Sequence, residues 1–206
     1  MTWTEHQMWI KPKTERSYPW YLRPFFWNQR RKYGNVLDAA LLWARSPKLF
    51  LGVAFLYGMI DRRSSQISPE LRSLLTVRVS QINHCPFCVD INSATLMKRG
   101  ASLDKVAALA AWRESELYDD KERDALDYAE AMTRSDREID GDLMRRLNSH
   151  FDDDQIVELT GLIAFQNMSS KFNSALAVPP QGFCQIPQSG DESPKPAQDG
   201  ARADPV

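Results

Sequence analysis

Two cysteines three positions apart, Cys85 and Cys88, are the side chains of this sequence best suited to chemistry. They lie in the run Cys85-Pro86-Phe87-Cys88, directly after His84. Thiols at this spacing can close a small disulfide, and the N-terminus of a helix stabilises the thiolate, which is the reactive form of the thiol. The spacing therefore indicates a redox site rather than a structural scaffold.

Two predicted helices meet at this cysteine pair. Hydrophobic positions at helical spacing predict a first helix over about 69–83, with Ser68 as its N-cap. Cys85 is then the natural N-cap of a second helix over about 86–99, which begins with a proline. Gly100 follows, and glycine readily takes the left-handed conformation that ends a helix.

The rest of the chain also reads as helical, and no segment alternates as a strand would. We therefore predict an all-α fold, a multi-helix bundle that forms an oligomer. The last helix is apolar around much of its circumference, which predicts a central position or a subunit interface. Further helices are expected over 35–45, 47–62, 102–112, 119–134 and 140–150, and from Asp152 or Asp153 to the prolines at 179 and 180.

Composition limits the possible partners. The 206 residues carry 27 acidic and 26 basic side chains, so no global charge favours nucleic acid. The sequence shows no signal peptide and no apolar stretch long enough to span a membrane. Three cysteines are a poor disulfide framework, which favours a reducing cytoplasm.

Three segments are expected along the chain. Residues 1–34 form an arm rich in aromatic and basic residues, residues 35–185 form the helical domain, and residues 186–206 form a disordered tail. Such an arm can bind membrane or nucleic acid, since aromatic rings stack and cations meet phosphates. We favour packing across its own domain or a neighbouring subunit, because its basic residues form no amphipathic face.

The helix pair around the cysteines resembles a known signature. The run 71–90 is similar to that of the carboxymuconolactone decarboxylase/alkylhydroperoxidase D-like superfamily. The resemblance implies an all-helical fold that assembles as trimers or hexamers. In the redox branch it implies thiol-dependent reduction of peroxides by a cycling CxxC pair. Later segments follow the same pattern, namely Gly100-Ala101-Ser102, Glu122-Arg123 before Ala125-Leu126, and a last helix containing Asn167.

The sequence departs from the redox branch at its proton relay. The family pattern has Glu twelve residues before the first cysteine, where this chain has Ser73, and His four residues after the second, where it has Asn92. Asn92 is expected beside Cys88 on one helix face, and an amide can orient a thiol but cannot take its proton. Glu70, one turn before Ser73, and His84 are candidate substitutes.

Helix-end electrostatics and the family resemblance assign the attacking thiol to different cysteines. Helix-end electrostatics favour Cys85, because a cap position receives free amide hydrogens. The resemblance implies that Cys88 attacks and Cys85 resolves, and we prefer this assignment. Around them, Asp90 is expected to be solvated, Arg78 to form a salt bridge, and Cys184 to be a free or buried structural thiol.

The predicted function is a thiol-dependent peroxidase or disulfide oxidoreductase. Its substrate is a small hydroperoxide, its electron donor is an external thiol, and it needs no metal or organic cofactor. Two alternatives remain: an acid–base enzyme of the lactone decarboxylase type, and a binding or structural oligomer that has lost the relay. Zinc binding by His84 and the two cysteines is disfavoured, since no second spaced Cys/His pair is present in the sequence.

Overall fold

Helices make up the regular structure of residues 8–184, which are the residues that the computed structural model describes. The predicted disordered tail, residues 186–206, lies outside these described residues. Residue 185 of the predicted domain and residues 1–7 of the predicted arm also lie outside them. The described helices are α1 (Arg23–Tyr33), α2 (Asp38–Trp43), α3 (Pro47–Ile60), α4 (Pro69–Ile82), α5 (Pro86–Lys98), α6 (Leu103–Ala108), α7 (Asp120–Thr133), α8 (Gly141–Asn148) and α9 (Asp153–Ala175).

Local capping explains where several helices begin. Ser68 Oγ accepts a hydrogen bond from the Leu71 amide at 3.2 Å, as predicted for the start of α4. Asp119 is the N-cap of α7 and Asp152 is the N-cap of α9, and each forms a reciprocal capping box. Gly100, just after α5, has a φ of +116°, which a side chain would strain.

One predicted helix is shorter than expected. The segment expected as a helix over 102–112 is α-helical only to Ala108 and then continues as a 3₁₀ helix, Leu109–Glu114. Ala111 lies outside helical geometry, with φ −116° and ψ 37°. The turn lets Trp112 reach the core, where it is 4% exposed.

The first core surrounds α4. This helix packs on α5, α7 and α9, so α9 is central, as its apolar circumference predicted. Side chains such as Leu74, Leu126 and Leu159 are fully buried there. The first core thus fixes the α4–α5 pair that carries the cysteines.

A second core joins the aromatic N-terminal segment to the cysteines. Tyr18, Leu22 and Phe26 are buried in one cluster with Cys85 and Cys88. The Tyr18 hydroxyl donates to the carbonyl oxygen of Leu41 at 2.8 Å. The described part of the segment therefore packs across its own domain.

Helix α1 within this segment was not predicted. It begins next to Pro24 and ends at Gly34, whose φ is +84°. Only Phe26 of this helix is buried, so its apolar positions do not form the stripe that identifies an amphipathic helix. Among the described residues, no helix, α1 included, has the length and apolar character needed to cross a bilayer.

Candidate active site

The N-terminus of α5 carries the cysteine pair as a disulfide. Cys85 and Cys88 are bonded to each other, with their Cα atoms 5.2 Å apart. The Cys88 amide donates to Cys85 Sγ at 3.2 Å, so Cys85 is the side-chain N-cap that the sequence predicted. The first turn of the helix therefore directs backbone N–H groups and the positive end of its dipole at this sulfur pair.

A cavity of about 410 Å³ adjoins Cys88. Its volume is within the usual range for small-molecule sites. Cys88 is part of its wall, whereas Cys85 is buried behind that wall and is not among the lining residues. Exposed side chains at its rim, Phe25, Asn28 and Lys32, show that the cavity reaches solvent.

Aromatic side chains form much of the cavity wall. Trp43 and Phe87 line it, and the Trp43 ring stacks on Phe172 behind it with ring centroids 3.5 Å apart. Among the described residues that line it, none is Asp, Glu or His. The polar lining includes amides, namely Asn28, Gln29, Asn92, Gln166 and Asn173.

The amide hydrogen-bonded to the sulfur pair comes from α9. Asn173 Nδ2 donates to Cys88 Sγ at 3.3 Å, and Asn173 is 2% exposed. Sequence reasoning missed this residue. A signal was present, because Gln166, Ser170 and Asn173 recur at intervals of four and three, which places three polar side chains on one face of an otherwise apolar helix.

Asn92 lines the same cavity but has a different partner. Its Nδ2 donates to Ser80 Oγ at 3.2 Å, and Gln166 Nε2 donates to the same oxygen at 2.9 Å. Ser80 in turn donates to the Thr76 carbonyl at 2.6 Å. Asn92 therefore connects α5 to α4, and the side-chain amide that donates to Cys88 Sγ is that of Asn173.

An arginine occupies the surroundings of Ser73, where the family relay has its glutamate. Arg99 Nη1 donates to Ser73 Oγ at 3.0 Å, and Arg99 Nη2 donates to the two carboxylate oxygens of Asp61 at 2.9 and 2.7 Å. Tyr57 lines the cavity and donates to Asp61 at 3.4 Å. Although Tyr57 as a residue is 47% exposed, desolvation of its hydroxyl, followed by the negative charge of Asp61, raises the Tyr57 pKa.

The two candidate relay substitutes lie away from the cavity lining. His84 is exposed, with a φ of +50°, and its carbonyl accepts from Ser174 Oγ at 2.9 Å. Glu70 pairs with Lys105 at 3.1 Å, and Lys105 also contacts Glu122 at 2.6 Å. The structure thus brings Cys85, Cys88 and Asn92 together and leaves His84 and Glu70 outside that group.

Three neighbouring expectations have clear outcomes. Asp90 was expected to be solvated, which is wrong: it is 8% exposed and accepts from the amides of Gln181 and Cys184, both at 2.7 Å. The carboxylate anchors the chain after α9, which helix periodicity cannot reveal. Arg78 forms the predicted salt bridge, with Glu130 at 2.6 Å. Cys184 is half-buried, and its Sγ lies 3.7 Å from Met97 Sδ.

Comparison with known proteins identifies the family. The model of the carboxymuconolactone decarboxylase family matches residues 50–131. The YnjA protein of Escherichia coli (strain K12) is 45% identical over 170 residues, covering 82% of this chain and 93% of YnjA. This chain therefore belongs to the carboxymuconolactone decarboxylase family, and the resemblance found in the sequence is confirmed.

Solved structures share its fold. A peroxidase-related protein from Silicibacter sp. TM1040 superposes with a TM-score of 0.77 at 25% identity, over 87% of this chain and 95% of that one. The debrominase Bmp8, solved with 2,3,4-tribromopyrrole bound, has a TM-score of 0.74 at 21% identity, over 86% and 94%. The same fold is thus found in a peroxidase-related protein and in a debrominase, and the similarity to Bmp8 concerns the fold alone.

Proposed function

We propose that this protein is a thiol-dependent reductase of hydroperoxides that cycles Cys85 and Cys88 between dithiol and disulfide. The observation that carries the proposal is a bonded CxxC pair at a helix N-terminus with one sulfur on the wall of a 410 Å³ cavity. An external dithiol is the reductant, and the cysteines require no metal for this chemistry.

The reaction has three balanced steps. The Cys88 thiolate attacks the terminal oxygen of the hydroperoxide, the O–O bond breaks, and the leaving alkoxide takes a proton from water to become an alcohol. Cys88 is then a sulfenic acid. The Cys85 thiol attacks that sulfur, a disulfide forms and water leaves. A dithiol then donates two electrons and two protons, which restores both thiols.

The position of each sulfur supports Cys88 as the attacking thiol. Cys88 lines the cavity, so a substrate there can reach it, whereas Cys85 faces the backbone amide of Cys88 at 3.2 Å. Donors near Cys88 include the helix N-terminus and the amide of Asn173, and both favour the thiolate. We give His84 and Glu70 no role in the reaction.

Single-turnover oxidation of the reduced protein tests this function. One equivalent of cumene hydroperoxide should convert wild-type protein to the disulfide, with a mass loss of about two hydrogen atoms. Cys85→Ser should accumulate a sulfenic acid on Cys88 that a 1,3-diketone probe labels, and Cys88→Ser should not react. Cys184→Ser is the matched control and should behave as wild type. Sulfenic acid formation in Cys88→Ser but not in Cys85→Ser would reverse the assignment.

Reductive dehalogenation is a second candidate, favoured by the aromatic wall of the cavity and by the shared fold of Bmp8. Here the Cys88 thiolate would attack a bromine of a brominated aromatic ring, and the ring carbon would take the bonding pair and a proton from water. The Cys85 thiolate would then displace bromide and form the disulfide. Bromide release from 2,3,4-tribromopyrrole, with no turnover of hydroperoxide, would favour this reaction.

A reducing, cytoplasmic location and assembly into a homo-oligomer are parts of the same proposal. Reduced thiols are maintained in that compartment. Helix α3 supports assembly, because it exposes a run of large apolar side chains, Leu49, Phe55, Leu56 and Met59. Light scattering after gel filtration measures the number of subunits, and a monomer at micromolar concentration would refute the assembly.

A further inference from the structure

The side-chain amide of Asn173 has a hydrogen-bond partner for its amino group but none among the described residues for its carbonyl oxygen. Its Nδ2 donates to Cys88 Sγ at 3.3 Å, whereas its Oδ1 is buried and has no hydrogen-bond partner among the described residues. The side chain is 2% exposed and belongs to the cavity lining. Most buried polar atoms in proteins are paired, so an unpaired buried amide oxygen in a residue that lines a cavity calls for an explanation.

The chemistry of the sulfur fixes the orientation of this amide. Neither a disulfide sulfur nor a thiolate has a proton to donate, so the amino end of Asn173 must face Cys88. The carbonyl end is then an acceptor that only a donor can satisfy. A molecule in the cavity can satisfy it if it carries an O–H or N–H group close to its reacting atom.

A hydroperoxide has such a group at the right place, since its O–H belongs to the oxygen that the thiolate attacks. The aromatic walls, which include Trp43, Phe87 and Phe165, suit a bulky apolar group on the other oxygen. Hydrogen peroxide would leave most of this cavity unfilled.

We propose that Asn173 binds both reactants: its Nδ2 holds the Cys88 thiolate, and its Oδ1 accepts a hydrogen bond from the O–H of an apolar organic hydroperoxide. This inference rests on the proposed function and adds to it a specificity residue. The same oxygen then binds the O–H of the alcohol product, which allows the two ends of the amide to be tested separately.

The amino end is tested on a single thiol. In the Cys85→Ser/Cys184→Ser background, Cys88 is the remaining cysteine of the three. Alkylation by iodoacetamide follows the thiolate fraction. Asn173→Leu and Asn173→Asp both remove the donor, and each should slow alkylation at pH 7 by about tenfold and move the alkylation profile to higher pH. Ser169→Ala changes the same cavity wall from the same helix and should leave the profile in place.

The carbonyl end is tested by ligand binding to the oxidised protein, which needs no turnover. Equilibrium dialysis compares 2-phenyl-2-propanol with its methyl ether, which lacks the O–H donor. Wild type should prefer the alcohol by about three- to tenfold. Asn173→Asp retains an acceptor and should keep this preference, whereas Asn173→Leu should lose it.

These outcomes separate the two proposals. If wild type and both Asn173 variants alkylate alike and show no preference for the alcohol, the role of Asn173 is refuted even when hydroperoxide turnover is normal. If the alkylation and binding results hold but hydroperoxide is not reduced, the proposed reaction fails while the binding role of Asn173 stands. If Asn173→Leu does not fold, Asn173→Asp, nearly equal in size, still tests the amino end, and the wild-type preference for the alcohol over its ether still tests the carbonyl end.

Discussion

Cys85 and Cys88 lie three residues apart and yet have different surroundings. Cys85 is fully buried and caps α5, whereas Cys88 is 2% exposed and meets the cavity. Their spacing and the following proline predicted the disulfide and the cap. The preference for Cys88 as the attacking thiol came from the family resemblance. Helix-end electrostatics alone could not identify the sulfur that meets the cavity, because the cavity wall includes α1 to α3, and their packing against α5 is a long-range property.

His84 provides a prediction at the residue scale. Replacing it by Asn keeps a residue type that tolerates its φ of +50° but removes the imidazole that could act as a general base. Because His84 is exposed and outside the cavity lining, hydroperoxide turnover should stay within about twofold of wild type. The measurement is a rate profile from about pH 5.5 to 7.5.

An acidic limb present in wild type and absent from His84→Asn would show that this histidine does transfer the proton. Circular dichroism of both proteins controls for a change in fold.

At the scale of elements, helix ends were easier to predict than helix contacts. The bounds of α4 and α5 follow from Ser68 and Cys85 as caps and from the prolines after them. One polar contact joins all three helices α4, α5 and α9, because Ser80 receives hydrogen bonds from both Asn92 and Gln166. Helical periodicity names the face of each residue but not its partner on another helix.

Two buried serines allow this contact to be measured. Ser80 is fully buried and holds two amides, whereas Ser93 is 1% exposed and its hydroxyl has no partner among the described residues. Ser80→Ala should lower the free energy of unfolding by about 1 to 3 kcal/mol, because it leaves the buried Gln166 amide and the half-buried Asn92 amide without their acceptor. Ser93→Ala removes the same atom and should be neutral or stabilising. Urea denaturation of both variants gives the comparison.

Equal losses in the two variants would mean that packing around the hydroxyls, rather than hydrogen bonding, decides their contribution.

For the whole molecule, the sequence predicted the fold class and the first core but not how the aromatic segment completes the site. Tyr18, Leu22 and Phe26 pack in one cluster with the disulfide, and this segment precedes Cys85 by about sixty residues. The sequence analysis favoured packing of this aromatic segment across its own domain or a neighbouring subunit. Only three-dimensional packing shows that the surface covered is the one beside the cysteines.

A charge network links α4, α7 and the 3₁₀ helix Leu109–Glu114. Glu130, 3% exposed, accepts from Trp112 Nε1 at 2.8 Å and pairs with Arg78 at 2.6 Å and Arg113 at 2.6 Å. Burial alone would raise the pKa of this carboxyl. The hydrogen bonds from Trp112 and Arg113 and the charge of Arg78 outweigh burial and hold the Glu130 pKa below its usual range.

The sign of this shift gives a prediction for acid stability. Because the pKa of Glu130 is lower in the folded protein than in the unfolded chain, its stabilising effect is present above the ordinary pKa of 4.5 and is lost as pH falls through the folded value. Glu130→Gln should reduce the free energy of unfolding by about 3 kcal/mol at pH 7. The difference from wild type should shrink as the pH approaches about 3.

Asp136→Asn is the matched control for charge removal. The Arg134 hydrogen bond lowers the Asp136 pKa too, but both side chains are exposed, so solvent and salt screen the pair and this variant should follow the wild-type curve. Denaturation midpoints for the three proteins at several pH values between about 3 and 7 measure both effects. If the Glu130→Gln curve runs parallel to that of wild type across this range, the network's ionisation does not contribute to acid stability, and its contacts act through packing alone.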